Sequence, residues 1–182
     1  MPRSSMATLI TRLRGLIGDP SGGSAVFTDD ELQAFLDGRR NDVRECQLAW
    51  RPETAQGGTV TYHEYFAPRG DWEDGPVLKD RTYAVATPDT SDLSTGRWTF
   101  VANLVPPVFI TGQTYDVPGA AFDALQAWAA RVAGEYDFAT DGQDFSRSQK
   151  HRGLLAAAAA HARRMVPGGI GRTAWRADIG EW

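Results

Sequence analysis

The chain has 182 residues, 42% of them hydrophobic and 23% charged, with a formal net charge of -4. That length suits one domain, or one domain carrying a substantial insertion, and is enough to bury a core without staples. The single cysteine, Cys46, excludes an internal disulfide framework and a Cys-based zinc cage, and no apolar run approaches the ~20 residues that a membrane-spanning helix needs.

The first predicted element is a helix from Ser5 to Ile17, with Leu9, Leu13, Leu16 and Ile17 at helical spacing and Gly18 then Asp19-Pro20 to stop it. Arg12 and Arg14 interrupt its apolar pattern, and no small-residue cleavage site follows. It reads as an amphipathic helix and not a signal peptide, which makes a cytoplasmic chain the expectation. "GDPSGGSAVF" then reads as a flexible loop. Thr28 to Glu31, "TDDE", is a capping box, in which the Thr hydroxyl accepts from the amide three residues on and the Glu reaches back. Leu32, Leu36, Val43, Cys46 and Trp50 follow in steps of three and four, interrupted by Arg39. That spacing predicts one helix ending at Arg51-Pro52.

From Glu53 to Val117 the texture changes to short β-branched and aromatic stretches, "TVTYHEYF", "RTYAVA", "GRWTFVAN" and "VFITGQTYDV", separated by Gly, Pro and Asp clusters. This predicts an antiparallel sheet of about four strands inserted between helical elements, with Trp98, Phe100 and Ala102 on one face. Helix resumes at Pro118, an apt early helical position, with Phe122, Leu125, Ala129, Val132 and Tyr136 as its buried stripe. "DFATDGQDF" breaks it. A second capping box, Ser146 to Gln149, opens a last helix running to about Met165, which Pro167 and Gly168-Gly169 end. The expected fold is therefore α+β, a small helical bundle with an inserted antiparallel β subdomain and a flexible C-terminal arm. Its parts are residues 1–52 and 118–165 for the bundle, 53–117 for the insertion and 166–182 for the arm.

The net charge hides an asymmetry. Residues 1–52 carry seven basic and seven acidic side chains, residues 53–117 four and nine, and residues 118–182 eight and seven. Residues 145–177 hold seven Arg or Lys and no acid, a pattern open to two readings, a solvated face or a face for a partner. Ala156 to Ala160, five alanines in succession, favour helix and let a neighbouring backbone come close, either within the bundle or on another subunit. Arg163, Arg164 and His161 in the last turn suit the helix dipole without any ligand. In the arm, glycines and a proline prevent regular structure, yet Ile170, Trp175, Ile179 and Trp182 are costly to leave in water. Either the arm folds back on its own domain or it becomes ordered on a partner, where Trp and Arg are favoured anchors.

Motifs for chemistry do not appear. "HEYFA" at His63 lacks the second histidine of a zinc protease, and His63, His151 and His161 fall on different elements. "GGIG" at 168–171 follows a helix and lacks the Lys-Ser/Thr of a phosphate loop. Adjacent acids such as Glu73-Asp74 and Asp29-Asp30 suit turns and caps. Cys46 on an apolar stripe reads as a packed thiol and not a nucleophile. Catalytic, cofactor and metal residues are therefore expected to be none. Arg147, Lys150, Arg163 and Arg164 spread round their helix, and with an acidic chain they do not make a sequence-specific DNA reader.

The order of a helix, a capped helix and a helix leading through "YDFATDGQDFSRSQKHRGLLAAAAAHARRM", together with "TDDELQAFLDGRRNDV", resembles the head–tail connector (adaptor, or head-completion) proteins of long-tailed bacteriophages and gene transfer agents. The resemblance implies a structural virion protein, made in the host cytoplasm and placed in the particle neck. It would form a ring of about twelve copies under the portal, join capsid to tail and line the channel through which genomic DNA leaves without sequence-specific binding. The implied partners are the portal protein, copies of itself and a stopper or tail-completion protein, with no membrane and no cofactor. The implied interface residues are Ile170, Arg172, Trp175, Arg176, Ile179 and Trp182 on the arm, and Arg147, Arg163 and Arg164 on the last helix. A stopper or tail-completion protein of the same neck, a soluble enzyme and a nucleic-acid-binding regulator stand as the alternatives.

Overall fold

The structure is a computed structural model that describes residues 1–54, 58–133, 138–140, 143–145 and 147–166. Its architecture is α+β. A 3-10 turn at Ser4–Met6 leads into helix α1 (Ala7–Ile17), followed by α2 (Asp29–Asp37). Seven strands come next: β1 (Arg40–Gln47), β2 (Ala49–Thr54), β3 (Val60–Phe66), β4 (Val77–Lys79), β5 (Thr90–Asp92), β6 (Arg97–Thr99) and β7 (Phe109–Tyr115). Helix α3 (Val117–Ala133), a short ribbon of β8 (Phe138–Thr140) with β9 (Gln143–Phe145), and helix α4 (Arg147–Ala162) complete the described chain.

The helices enclose one core and the strands another. Leu9, Leu13 and Ile17 of α1 are buried with Leu32 and Leu36 of α2 and Val117 and Leu125 of α3. Ala120, Ala121 and Ala124 are fully buried, and their small side chains let α1 lie close on α3. Phe27 closes one end of this core, edge-on to Phe35 at 5.5 Å and to Trp128 at 6.3 Å. α1 ends where Gly18 turns left-handed at φ 67°, the conformation that the missing Cβ allows. The capping box forms as expected: Thr28 accepts from the Glu31 amide and Glu31 from the Thr28 amide. The loop before it is tied down. Buried Asp19 pairs with Arg14 at 2.7 Å and accepts from the amides of Val26 and Phe27.

The strands form two antiparallel sheets, in order β1-β7-β4 and β2-β3-β6-β5. Between them lie Tyr65, Trp72, Leu78, Trp98, Phe100, Val108 and Ile110. Trp72 and Trp98 meet edge-on at 5.7 Å.

Four expectations are corrected. The helix expected through Trp50 ends at Asp37, and strand begins at Arg40. The misleading spacing has a physical source. β1 bulges at Glu45, whose φ is 47°, so that Val43 pairs with Gly112 and Cys46 with Ile110. A bulge inserts one extra residue and places two side chains three apart on one face, which imitates a helical step. Val43 and Cys46 both pack on the β core, whereas Trp50 is exposed on β2. "RTYAVA" is a turn that returns to β4 by an isolated antiparallel bridge from Val85 to Lys79, and not a full strand: the Asp80 carboxylate accepts from the amides of Thr82 and Ala84, and Tyr83 adopts φ 63°. One sheet of about four strands is instead two, of three and four. Helix α4 ends at Ala162, three residues before Met165. The capping box at Ser146 and the stripe position Tyr136 lie outside the described residues.

Candidate docking surface

Helix α4 rests on α3 through Leu154 and Ala158, with Lys150 over the Trp128 ring at 5.5 Å. Ala158 is its one buried residue among those whose side chains are described. Leu155, Ala156, Ala157, Ala159 and Ala160 are exposed, so most of the helix surface meets no other part of the described chain. His161 is half-buried in the last turn, and Arg163 and Arg164 follow it, exposed.

Where α4 ends, the chain reaches a groove of about 530 Å³. Its walls come from four separate stretches: Gly38 to Asn41, Pro68 to Asp71, Thr114 to Pro118, and Arg164 with Val166. Asp116 knots three of these together. Its amide donates to the Arg39 carbonyl at 3.1 Å. One carboxylate oxygen accepts from the Gly119 amide, which caps the start of α3, and the other from the Val166 amide at 3.1 Å. The root of the C-terminal segment is thus held against the first turn of α3.

Four arginines line the groove, and they are not equivalent. Arg39 forms a bidentate pair with Asp123 at 2.7 and 2.8 Å, and Arg40 pairs with Asp42 at 3.0 Å. Arg69 and Arg164 have no acidic partner among the described residues, and both are exposed. The backbone beneath Arg69 is fixed. Its carbonyl accepts from the Trp72 indole at 2.8 Å, and a Cβ on Gly70 would collide with the Ser94 carbonyl. Arg69 is therefore a free charge on a rigid loop. Next to it Asp71 takes φ 56° and pairs with Arg12 through its carboxylate, while its backbone carbonyl accepts from the Tyr115 amide. Burial pushes its carboxyl above the usual carboxylate range, against the opposing pull of Arg12.

A second polar cluster lies behind Tyr115. Glu73 is buried and accepts from the Tyr115 hydroxyl at 2.5 Å, the Ser5 hydroxyl at 2.6 Å and Arg3 at 3.1 Å. Arg3 also holds Asp37 at 2.7 Å. Burial opposes ionisation of Glu73, but the bonds from Ser5, Tyr115 and Arg3 hold its carboxyl below the ordinary range. Burial, with the bond to Glu73, pushes the Tyr115 phenol up. None of the buried side-chain polar atoms of the cluster lacks a partner among the described residues. It fastens the N-terminal turn and α2 to the β part.

Among the expected interface residues, Arg164 lines the groove, Arg163 stands exposed beside it, and Arg147 opens α4. Ile170, Arg172, Trp175, Arg176, Ile179 and Trp182 lie outside the described residues. The sequence reading missed Arg39, Arg40, Arg69, Asp71 and Asp116, and assigned Glu73 a turn role that its buried hydrogen bonds overturn. An Asp two residues before Pro118 was a readable cap signal; nothing local marked Arg69. Cys46 lies on a strand and not on a helix, half-buried, and burial pushes its thiol up. Comparison with known proteins finds no matching family model, no matching curated protein and no matching solved structure.

Proposed function

We propose that this chain is a structural adaptor of a virion neck, which assembles as a ring under the portal, joins capsid to tail and lines the DNA exit channel. The observation that carries the reading is α4, a 16-residue helix with five successive alanines and one buried residue among those whose side chains are described. A helix so little covered gains its stability from packing that one chain does not supply. A neighbouring copy supplies it in a head-to-tail ring, where one patch meets a different patch on the next copy. The segment after Val166 leaves from a fixed root beside exposed Arg163 and Arg164, which suits an arm that reaches a second protein. Its Trp175 and Trp182 are the anchors such an arm needs.

The test is the mass of the purified chain by light scattering, alone and mixed with the portal ring of a long-tailed phage particle that encodes it, and again with residues 167–182 deleted. Entry of the full chain, and not of the shortened one, into a ring-sized complex supports the adaptor with its arm. If both stay small and ignore the portal, the adaptor reading fails.

A further inference from the structure

Helix α4 and one end of the β part carry opposite charges at a similar spacing. His151, Leu154, Ala158 and His161 are the covered or half-covered residues of α4 and mark the side that lies on α3. With 3.6 residues per turn, Arg152, Ala156, Ala159, Ala160 and, in the turn that follows the helix, Arg163 fall on the opposite side, and all are exposed. Arg152 and Arg163 stand roughly 16 Å apart along the axis, and neither has an acidic partner among the described residues. Lys150 is taken by the Trp128 ring, Arg164 lines the groove, and residues 147–166 hold no acid.

The end of the β2-β3-β6-β5 sheet has the reverse pattern. Glu53 on β2 and Asp89 just before β5 are exposed, and neither has a basic partner among the described residues. The Asp89 carboxylate accepts from the Val101 amide at 2.6 Å, which leaves its charge in place. β2 and β5 are the two edges of that sheet, and the register sets both acids at one end of it: Glu53 lies opposite Thr61, and the Asp89 amide donates to Thr99, next to Phe100, whose own amide donates to His63. Three strand spacings separate the edges, roughly 15 Å. Between the acids stand Val60 and Val101, 41% and 79% exposed, and the loop after Val101 is held to Tyr62 by Asn103 and Leu104. Residues 52–62, 84–90 and 98–105 carry no Lys or Arg, and a ring nitrogen of nearby His63 meets the Phe100 carbonyl. The other acids of the β part, save Asp74, are matched by bases or bound in their own turns.

We propose that α4 of one copy lies across this end of the β part of a second copy, with Arg152 and Arg163 each on one of the acids Glu53 and Asp89. The inference rests on the adaptor reading in one respect, that copies meet head to tail, and it names the surface that receives the helix. A second copy is the occupant because one chain carries both halves of the match, so each copy offers its helix to one neighbour and its sheet end to the other. Exposed ion pairs alone are worth little. Here the alanines let the helix come close, and Val60 and Val101 exclude water between the pairs, where charges attract more strongly than in bulk solvent.

Sedimentation velocity of the full chain without a portal, at low salt and at concentrations up to the order of 1 mM, tests this. The unaltered chain is expected to self-associate. Arg152→Glu/Arg163→Glu and Glu53→Lys/Asp89→Lys should each associate about tenfold more weakly or worse. An equimolar mixture of the two should regain the association, because the acidic helix then meets the basic sheet end and the unaltered helix meets the unaltered end. Asp89→Lys removes the acceptor of the Val101 amide. If circular dichroism shows that this variant does not fold, Glu53→Lys/Asp89→Asn, which keeps an acceptor there, takes its place, with the same loss expected alone and a partial recovery in the mixture. An unaltered chain that stays a single copy throughout overturns the contact, as do variants that associate undiminished or a mixture that recovers nothing. The outcome is separable from that of the adaptor reading: a chain that associates in this way and ignores the portal removes only the adaptor, and a portal-bound ring that both variants enter undiminished removes only the contact.

Discussion

Glu73 brings together an N-terminal turn, a strand end and a loop that are far apart in sequence. Its removal leaves the buried Tyr115 hydroxyl without its acceptor and Arg3 without one of its two carboxylates. Glu73→Ala is expected to cost about 1–3 kcal/mol, measured by denaturant unfolding at neutral pH. The same cluster sets a pH dependence. Glu73 and Asp37 are held below their ordinary range, so the unfolded chain binds protons that the folded chain refuses. Their contribution is complete above the ordinary carboxylate range and is lost as pH falls through their lowered values. Asp92, held down to about 2 by the Ser94 and Thr95 side chains, acts in the same direction. Asp71, which burial raises, acts in the opposite one. The unfolding midpoint should fall from about pH 5 towards pH 3, and Glu73→Gln should fall less steeply. An equally steep fall in both proteins would show that the cluster does not set the acid limit.

At the scale of elements, α1, α3 and the strands at Val60–Phe66 and Phe109–Tyr115 were legible because their residues obey a simple period and carry clear stops. β1 was not. Its bulge gave Val43 and Cys46 a helical interval, and its partners on β7 lie 62 to 75 residues away in the chain, beyond the reach of any local pattern. Asp80 likewise turned an apparent strand into a turn by offering the backbone a nearer acceptor. Helix α4 was found, but the sequence left open whether its alanines face the bundle or a neighbour. Its exposed side permits a direct test. Ala156→Glu with Ala160→Glu should change the stability of the isolated chain by under about 1 kcal/mol in total, since both positions are exposed and Glu is a good helix former. The pair should nevertheless abolish entry into a portal-bound ring in light scattering. Undiminished entry would leave α4 without an interface role.

Across the whole molecule, charge was visible from the start, but its geometry was not. The groove unites residues near positions 39, 69, 115 and 165, and only the fold brings those stretches together. Under the proposed adaptor role, the acidic middle third and the basic stretch 145–177 would supply opposite charges for pairing between copies or with a portal. Arg147→Glu with Arg163→Glu is accordingly expected to weaken assembly about tenfold or more at low ionic strength, with the deficit vanishing near 1 M salt, where the screening length is about 3 Å. Sedimentation across a salt series would report it, and unchanged assembly at low salt would discard the electrostatic account.

One residue, Leu48, separates β1 from β2, although the two strands belong to different sheets. Its side chain is buried between the sheets, and its amide is bonded to Val108 at 2.9 Å. A crossing this short leaves no slack, so the sheets are geared together and neither slides without the other. Any change that spares this crossing falls on the helical side, where α4 rests on α3 through Leu154 and Ala158 and the Val166 amide is held by the Asp116 carboxylate.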